Sequence, residues 1–376
     1  MSVRFPLLLL GLLAGCGRDL EAEYREALGT PKALALPSFP ESNPPTREKR
    51  ELGRRLFYDQ RLSGNQTQSC ASCHEQRLAF TDGKPTSTGS TGHVLTRNSQ
   101  GLQNAAYNST LTWANNGLIT LEAQLMVPIR GDRPVELGVN DGNEGEVIAR
   151  FESDAEYAAQ FRAAFPASPS GVTIDKVVFA LATFCRSLVG ADSPYDRFVA
   201  GDTSAISDAA KRGADLFNGE KFECFHCHGG VNLGISYRDA RTTAETATYP
   251  FFNNGLYNVG GDGGYPARDQ GLYELTLHPD DRGRFRPQSL RNVALTAPYM
   301  HDGSIETLEG VVRHYAAGGR NVESGPNAGD GRLNPLKSGL VRPFAATEQE
   351  IADVLAFLET LTDTTFVENP AFSAPP

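Results

Sequence analysis

Two pentapeptides, Cys70-Ala71-Ser72-Cys73-His74 and Cys224-Phe225-His226-Cys227-His228, constrain this 376-residue chain more than any other feature. Each has the Cys-x-x-Cys-His spacing that attaches a c-type haem. The two thiols add to the haem vinyl groups as thioethers, and the adjacent histidine reaches the iron as an axial ligand. A structural zinc site would want four ligands at matched spacing, and a redox Cys-x-x-Cys has no reason to carry a histidine after each pair. Two copies in a chain with an export signal and six cysteines therefore read as two covalently bound haems.

The export signal is at the N-terminus. Met1-Ser2-Val3-Arg4 is followed by an apolar run from Phe5 to Leu13 and then by Ala14-Gly15-Cys16. A short positive stretch, an apolar core and small residues at a cleavage point make a secretory signal peptide over residues 1–16. Leu13-Ala14-Gly15-Cys16 resembles a bacterial lipobox, which makes Cys16 the expected lipidation site; an ordinary cleavable signal is the alternative. Residues 17–45 are polar and Pro-rich and read as a tether. The expectation is a periplasmic protein, lipid-anchored to a bacterial membrane. The sixth cysteine, Cys185, lies on an apolar helical stripe over residues 174–188 and reads as a small buried hydrophobe. The formal charge of −10 argues against nucleic acid and leaves room for a basic redox partner.

The chain repeats itself around the two motifs. Glu51-Leu52-Gly53-Arg54-Arg55-Leu56-Phe57 precedes the first and Lys211-Arg212-Gly213-Ala214-Asp215-Leu216-Phe217 the second, with a glycine in the same register. That glycine suits close packing of one helix on another. Each half closes with an apolar-striped helix, the second opening at a capping box of Thr347 and Glu350. The expected fold is mostly α: two cytochrome c-like domains, over residues 46–190 and 206–376, each with one covalently bound haem, joined by a linker over residues 189–205. Residues 249–284, rich in Gly, Pro and Asp, read as a long irregular loop. Gly260-Gly261-Asp262-Gly263-Gly264 has neither a preceding strand nor the lysine of a phosphate loop, so it is not a nucleotide site.

An electron carrier wants both irons six-coordinate, whereas an enzyme needs one position free. The side chains able to supply a sixth ligand are His93, His226, His278, His301, His314, Met126, Met300 and the tyrosines. The residues alone leave that choice open.

The run from Ser289 to Ser304, Ser-Leu-Arg-Asn-Val-Ala-Leu-Thr-Ala-Pro-Tyr-Met-His-Asp-Gly-Ser, together with both haem motifs, resembles the bacterial di-haem cytochrome c peroxidase and MauG superfamily. Asn104 to Asn115, with Leu121-Glu122-Ala123-Gln124, is most similar to the MbnH-type di-haem enzymes, which oxidise a tryptophan of a partner protein to kynurenine. The resemblance implies several roles. His74 and His228 are proximal ligands, and Trp113, the single tryptophan, is an aromatic bridge between the haems. Glu136 is the distal carboxylate over the open haem and Gln124 its neighbouring amide. Asn98, Thr296 and Pro298 are a calcium site whose oxygens suit a hard cation.

Two departures from the peroxidases refine the expectation. Those enzymes carry a blocking histidine sixteen residues after the first haem histidine; here the position is Ser90, with His93 nearby but off register, so the N-terminal haem reads as open. They also ligate the C-terminal haem with a methionine fourteen residues after the histidine of His-Asp-Gly; here that residue is Tyr315. His314 is adjacent, but helix neighbours point about 100° apart, so only one faces the iron. Tyr315 is the expected ligand, and Met300 and Met126 the expected packing residues. The function implied is a periplasmic oxidoreductase that uses H2O2 to reach a bis-ferryl-type state and oxidises a secreted protein substrate by long-range electron transfer. Two rivals stand beside it: a cytochrome c peroxidase fed by a small redox protein, and a di-haem electron carrier without chemistry of its own.

Overall fold

Helices begin where the sequence offers a hydroxyl cap. Thr46, Thr120, Thr173, Ser207, Thr307 and Thr347 each stand in extended backbone, and each side chain accepts the N–H three residues on. In the computed structural model, which describes residues 19–169 and 171–376, these caps start six of thirteen helices. In chain order the helices are α1 (Leu20–Leu28), α2 (Arg47–Tyr58), α3 (Leu121–Arg130), α4 (Glu144–Glu152), α5 (Ala155–Ala164), α6 (Ile174–Ser187) and α7 (Pro194–Val199). After these come α8 (Asp208–Phe217), α9 (Phe225–His228), α10 (Tyr273–Thr276), α11 (Leu308–Ala316), α12 (Glu348–Glu359) and α13 (Thr364–Val367). One two-stranded antiparallel ribbon, β1 (Asn321–Val322) with β2 (Gly329–Asp330), pairs Asn321 with Asp330. The fold is mostly helical, and no helix among the described residues is long and apolar enough to cross a membrane. The signal peptide and Cys16 lie outside the described residues.

The repeat seen in the sequence is a repeat of packing. On α2, a Cβ added at Gly53 would fall 2.0 Å from the Ala180 carbonyl oxygen of α6. On α8, a Cβ at Gly213 would fall 1.9 Å from the Asp353 carbonyl oxygen of α12. Only glycine lets either pair of backbones approach so closely. One turn later the same aromatic pair recurs, Phe57 with Phe184 at 5.2 Å and Phe217 with Phe357 at 5.0 Å between ring centroids. A second duplicate follows each motif. Asn104 and Asn292 both sit in left-handed backbone, at φ 56° and 58°. The Asn104 N–H donates to Leu188 O, just after α6, and that of Asn292 to Leu361 O, just after α12.

Apolar burial falls into two main clusters. The first gathers Leu52, Phe57, Phe80, Ile129, Phe151, Leu181 and Phe184; the second gathers Phe217, Phe222, Val312, Val354, Phe357 and Leu361. A smaller third cluster, with Leu256, Tyr257, Tyr265 and Phe285, packs Trp113 and Met300 at its edge. Met126 packs against the first cluster, and Cys185 is buried within it.

Three stretches differ from their expected roles. Residues 19–45 are not a free tether: Leu28, Leu34 and Leu36 are buried, Ala240 N–H donates to Leu36 O, and Tyr107 Oη donates to Ala35 O. The polar, Pro-rich composition hid a short helix, α1, and a few apolar anchors on it and on the strap that follows. The C-terminal end does not stay with the second cluster: Phe366 and Phe372 join the first, and Tyr58 Oη donates to Phe372 O. Within 189–205, α7 is ordered by a Ser193–Asp196 capping box and by Arg291, which donates to both Asp196 oxygens at 2.8 and 2.9 Å.

Candidate haem and redox sites

The first motif forms a tight turn, with His74 N–H donating to Cys70 O. His74 Nδ1 stands 2.7 Å from Phe80 O. A carbonyl can only accept, so Nδ1 carries the proton and Nε2 keeps the lone pair for a metal. Burial lowers the His74 pKa and favours that neutral ring. His228 repeats the arrangement: Nδ1 donates to Gln288 O at 3.0 Å, and burial pushes its pKa down to about 4.

Above the first motif the chain folds residues 134–139 back along α3. Leu137 N–H donates to Pro128 O and Val139 N–H to Ile129 O, which fixes the Glu136 backbone. Glu136 lies close enough to Cys70 and Cys73 to act on both thiols electrostatically. Burial raises its pKa to about 7. Gln124, on α3, has a buried Oε1 with no hydrogen-bond partner. Ser90 N–H donates to Glu136 O, while the Ser90 hydroxyl is buried without a partner. His93 is exposed.

A single cavity collects most of the second site. Cys224, Cys227, His228, Tyr315, Trp113 and Asn254 all line it. So do Asn98, Thr296 and Pro298. Tyr315 is half-buried there, and its phenol is pushed up to about 12 by burial, against a lowering hydrogen bond with the Asn254 side chain. His314 turns away. It lines a separate surface depression with Arg313, Arg320 and Arg332, and its Nε2 stands 3.1 Å from Asn254 O. Helical phase separates the two neighbours as expected.

Trp113 is held from both halves. Its indole N–H donates to Asn98 O at 2.8 Å, one residue before Ser99, whose hydroxyl is 3.3 Å from His74 Nδ1. Its own carbonyl accepts from the N–H of Arg286, two residues before the Gln288 that supports His228.

Arg286 was not singled out from the sequence. It is 2% exposed and, among the described residues, has no carboxylate partner. Its Nε donates to Thr112 O at 3.1 Å and its Nη2 to Gln100 Oε1 at 2.6 Å and Gln288 Oε1 at 2.9 Å. Nη1 is buried with no partner, and Arg286 lines the cavity. The signal that would have found this cluster is the duplicated Gln-x-Leu-x-Asn, at Gln100 to Asn104 and Gln288 to Asn292.

The residues fit a haem. The cavity joins two free thiols and a histidine to an apolar wall of Phe217, Phe222, Val312 and Leu358, and its lining includes an orphaned guanidinium suited to an anionic edge group. The neutral oxygens of Asn98, Thr296 and Pro298 suit a hard cation. Asn98 Nδ2 donates to Lys84 O at 2.8 Å.

Comparison with known proteins agrees. Residues 47–204 match the family model for di-haem cytochrome c peroxidase. The chain is 35% identical over 340 residues to cytochrome-c peroxidase IdrP1 of Denitromonas iodatirespirans, covering 86% of this chain and 84% of that protein. It is 32% identical to the methylamine utilization protein MauG of Methylorubrum extorquens, covering 91% of this chain and 84% of that one. A crystal structure of a MauG-like protein associated with microbial copper homeostasis superposes with a TM-score of 0.89 at 49% identity, over 92% of this chain and 98% of that one. The chain therefore belongs to the di-haem cytochrome c peroxidase family, which includes MauG, and is a di-haem oxidoreductase.

Proposed function

We propose that the chain is a periplasmic enzyme, lipid-anchored through Cys16 and built as two cytochrome c-like domains, that uses hydrogen peroxide to oxidise a secreted partner protein without direct contact between the reacting side chain and either metal. A haem bound at each motif supplies the iron that reacts with peroxide and stores the oxidising equivalents. Cys70 and Cys73 with His74 hold one, and Cys224 and Cys227 with His228 the other. Ser90 offers no imidazole to the first, which leaves that face to peroxide. Glu136 takes a proton from the bound peroxide and returns it to the leaving oxygen, and the Gln124 amide orients the oxidant. Trp113 would carry charge between the halves, and Tyr315 would offer its phenolic oxygen to the haem held at the second motif, a donor that favours higher oxidation states. A calcium ion at Asn98, Thr296 and Pro298 would fix the loop that supports Trp113.

The observation that carries this reading is the division of labour between two neighbours: Tyr315 shares the cavity of His228, whereas His314, itself buried, lines a separate depression and bonds to Asn254 O. The MbnH-like part, oxidation of a partner's tryptophan, draws support from the solved relative associated with copper homeostasis. Relatives named cytochrome-c peroxidase favour a second reading, in which a small redox protein delivers electrons to peroxide.

An EPR spectrum of the ferric holoprotein tests the first. It should contain one high-spin and one low-spin centre; Tyr315→Phe should change the low-spin signal and His314→Ala should leave it. Two low-spin centres inert to peroxide would reduce the molecule to an electron carrier. Rapid turnover of peroxide with a reduced small cytochrome, with no oxygen gained by a protein encoded next door, would favour the second reading.

A further inference from the structure

The proposed function needs a route from the cavity to the surface, and the third apolar cluster supplies one. Phe285 and His301 both line the cavity and stack on each other with centroids 3.7 Å apart and planes 12° from parallel. Behind them stand two tyrosines. The Tyr265 ring is 6.2 Å from His301 and 6.1 Å from Phe285, and the Tyr257 ring is 6.5 Å from His301 and 5.6 Å from Tyr265. The rings therefore form an unbroken run of neighbours from the cavity wall to Tyr257.

The two tyrosines differ in what takes their proton. Tyr265 Oη donates to the Asn253 amide oxygen, which is no base. Tyr257 Oη donates to Asp302 Oδ2 at 2.6 Å, the length of a charge-assisted O–H to carboxylate bond. Other tyrosine–carboxylate pairs in the chain are spoken for: Asp59, beside Tyr157, is paired with Arg61, and Asp239, beside Tyr237, with Arg241. Asp302, among the described residues, makes no ion pair with arginine or lysine and otherwise accepts from Ser304. Over Tyr257 lies Arg320, its guanidinium carbon 4.8 Å from the ring centroid. Arg320 in turn lines the surface depression that also includes Ser304, Arg313 and Arg332. Tyr257 is 5% exposed, one side chain below that surface.

We propose that Tyr257, with Asp302 as its proton acceptor, is the redox-active exit residue through which oxidising equivalents reach a partner protein docked over Arg320. This rests on the peroxide-driven function above. An electron leaves Tyr257 for the cavity, where peroxide has oxidised the bound haem. At the same time the phenolic O–H bond breaks and the proton moves to Asp302 Oδ2, so the pair becomes a neutral phenoxyl and a neutral carboxyl. Without that base, oxidation would leave a buried phenol cation, which is costly away from water. An electron from the partner then refills Tyr257, and the proton returns from Asp302. Two such transfers supply the two electrons that convert one H2O2 to two waters. The Tyr257–Asp302 proton only shuttles within the pair, and the two protons consumed come from solvent, which takes up those released by the oxidised partner.

The test uses the holoprotein with peroxide alone, freeze-quenched for EPR, while stopped-flow absorption follows the haems. Wild type should yield a tyrosyl radical; Tyr257→Phe should abolish it, and Asp302→Asn should lower its yield by at least about tenfold, the scale on which a positioned base acts. Haem oxidation by peroxide should keep its rate in both variants, because neither residue touches the peroxide site. Asp302→Asn preserves shape and hydrogen bonding, so a failure to fold in one variant leaves the other informative. An undiminished tyrosyl signal in Tyr257→Phe would overturn the assignment while leaving peroxide chemistry intact. A wild-type protein inert to peroxide would instead overturn the parent reading and this one with it.

Discussion

A carboxyl becomes a proton shuttle near neutral pH only if something disfavours its charge, and at Glu136 that something is burial. Its pKa rises to about 7, with no charged partner needed to explain it. The sign follows directly. Below about pH 7 the carboxyl holds its proton and cannot take one from peroxide; above it, the carboxylate can. The rate of peroxide reaction of the ferric holoprotein should therefore rise with pH through about 7, and Glu136→Gln should slow it by roughly 10²- to 10⁴-fold and flatten the profile. Stopped-flow rates of the two proteins across pH decide it; a variant that keeps both rate and profile would remove Glu136 from the chemistry. At this scale the sequence was most legible where a side chain belongs to a short motif. The cysteines and histidines of the two motifs come together within single turns, and the separation of Tyr315 from His314 follows from one residue of helical spacing. Tyr257 and Asp302 were illegible because they lie forty-five positions apart across mostly irregular chain, and no periodicity reports which loop folds onto which.

At the scale of elements, two glycines let helices touch, and the same substitution elsewhere should have the opposite sign. Gly53→Ala and Gly213→Ala each place a methyl within 2.0 Å of a backbone carbonyl on the crossing helix, so the pairs α2/α6 and α8/α12 must separate. Overpacking of this kind costs about 1–3 kcal/mol, more than the gain of roughly 0.5–1 kcal/mol that alanine brings to a helix. Gly145, on α4, has open space where its Cβ would go, and Gly145→Ala should stabilise by up to about 1 kcal/mol. Thermal unfolding of the three holoproteins should lower Tm for the first two and hold or raise it for the third. A Gly213→Ala protein as stable as wild type would mean that the helix contact is slack. Helix ends were readable because caps are local: Thr347 with Glu350 forms the expected box, and the expected segment over 174–188 is observed as Ile174–Ser187. The strap over residues 19–45 was not readable, since its burial depends on Leu28, Leu34 and Leu36 meeting surfaces far away in sequence.

On the scale of the whole molecule, the two halves are joined by directed polar contacts where the cavity meets Trp113. Gln288 Nε2 donates to Gln100 Oε1 at 2.9 Å, Asn292 Nδ2 donates to Gln103 Oε1, and Arg286 binds both Gln100 and Gln288. Hydrogen bonds of this kind hold only one relative placement, whereas an apolar interface tolerates sliding. The strap, expected as a tether, and the C-terminal end, expected with the second half, reinforce that placement by contacting both halves. The interface also carries charge. Burial lowers the Arg286 pKa to about 9, still protonated at neutral pH, and its Nη1 has no partner among the described residues. A buried cation stabilises the reduced, electron-rich state of any redox group beside it. Replacing it with a neutral amide, Arg286→Gln, should lower the midpoint potentials of both centres by on the order of tens of millivolts, the Coulomb scale for one charge at about 10 Å in a medium of effective dielectric about 20. Because Arg286 bonds to Gln100, which follows the Ser99 that meets His74, and to Gln288, whose carbonyl meets His228, the two potentials should move together. Spectroelectrochemical titration of the variant measures both at once. A shift at one centre alone would place the charge with that half, and potentials equal to wild type would show that neither metal senses it.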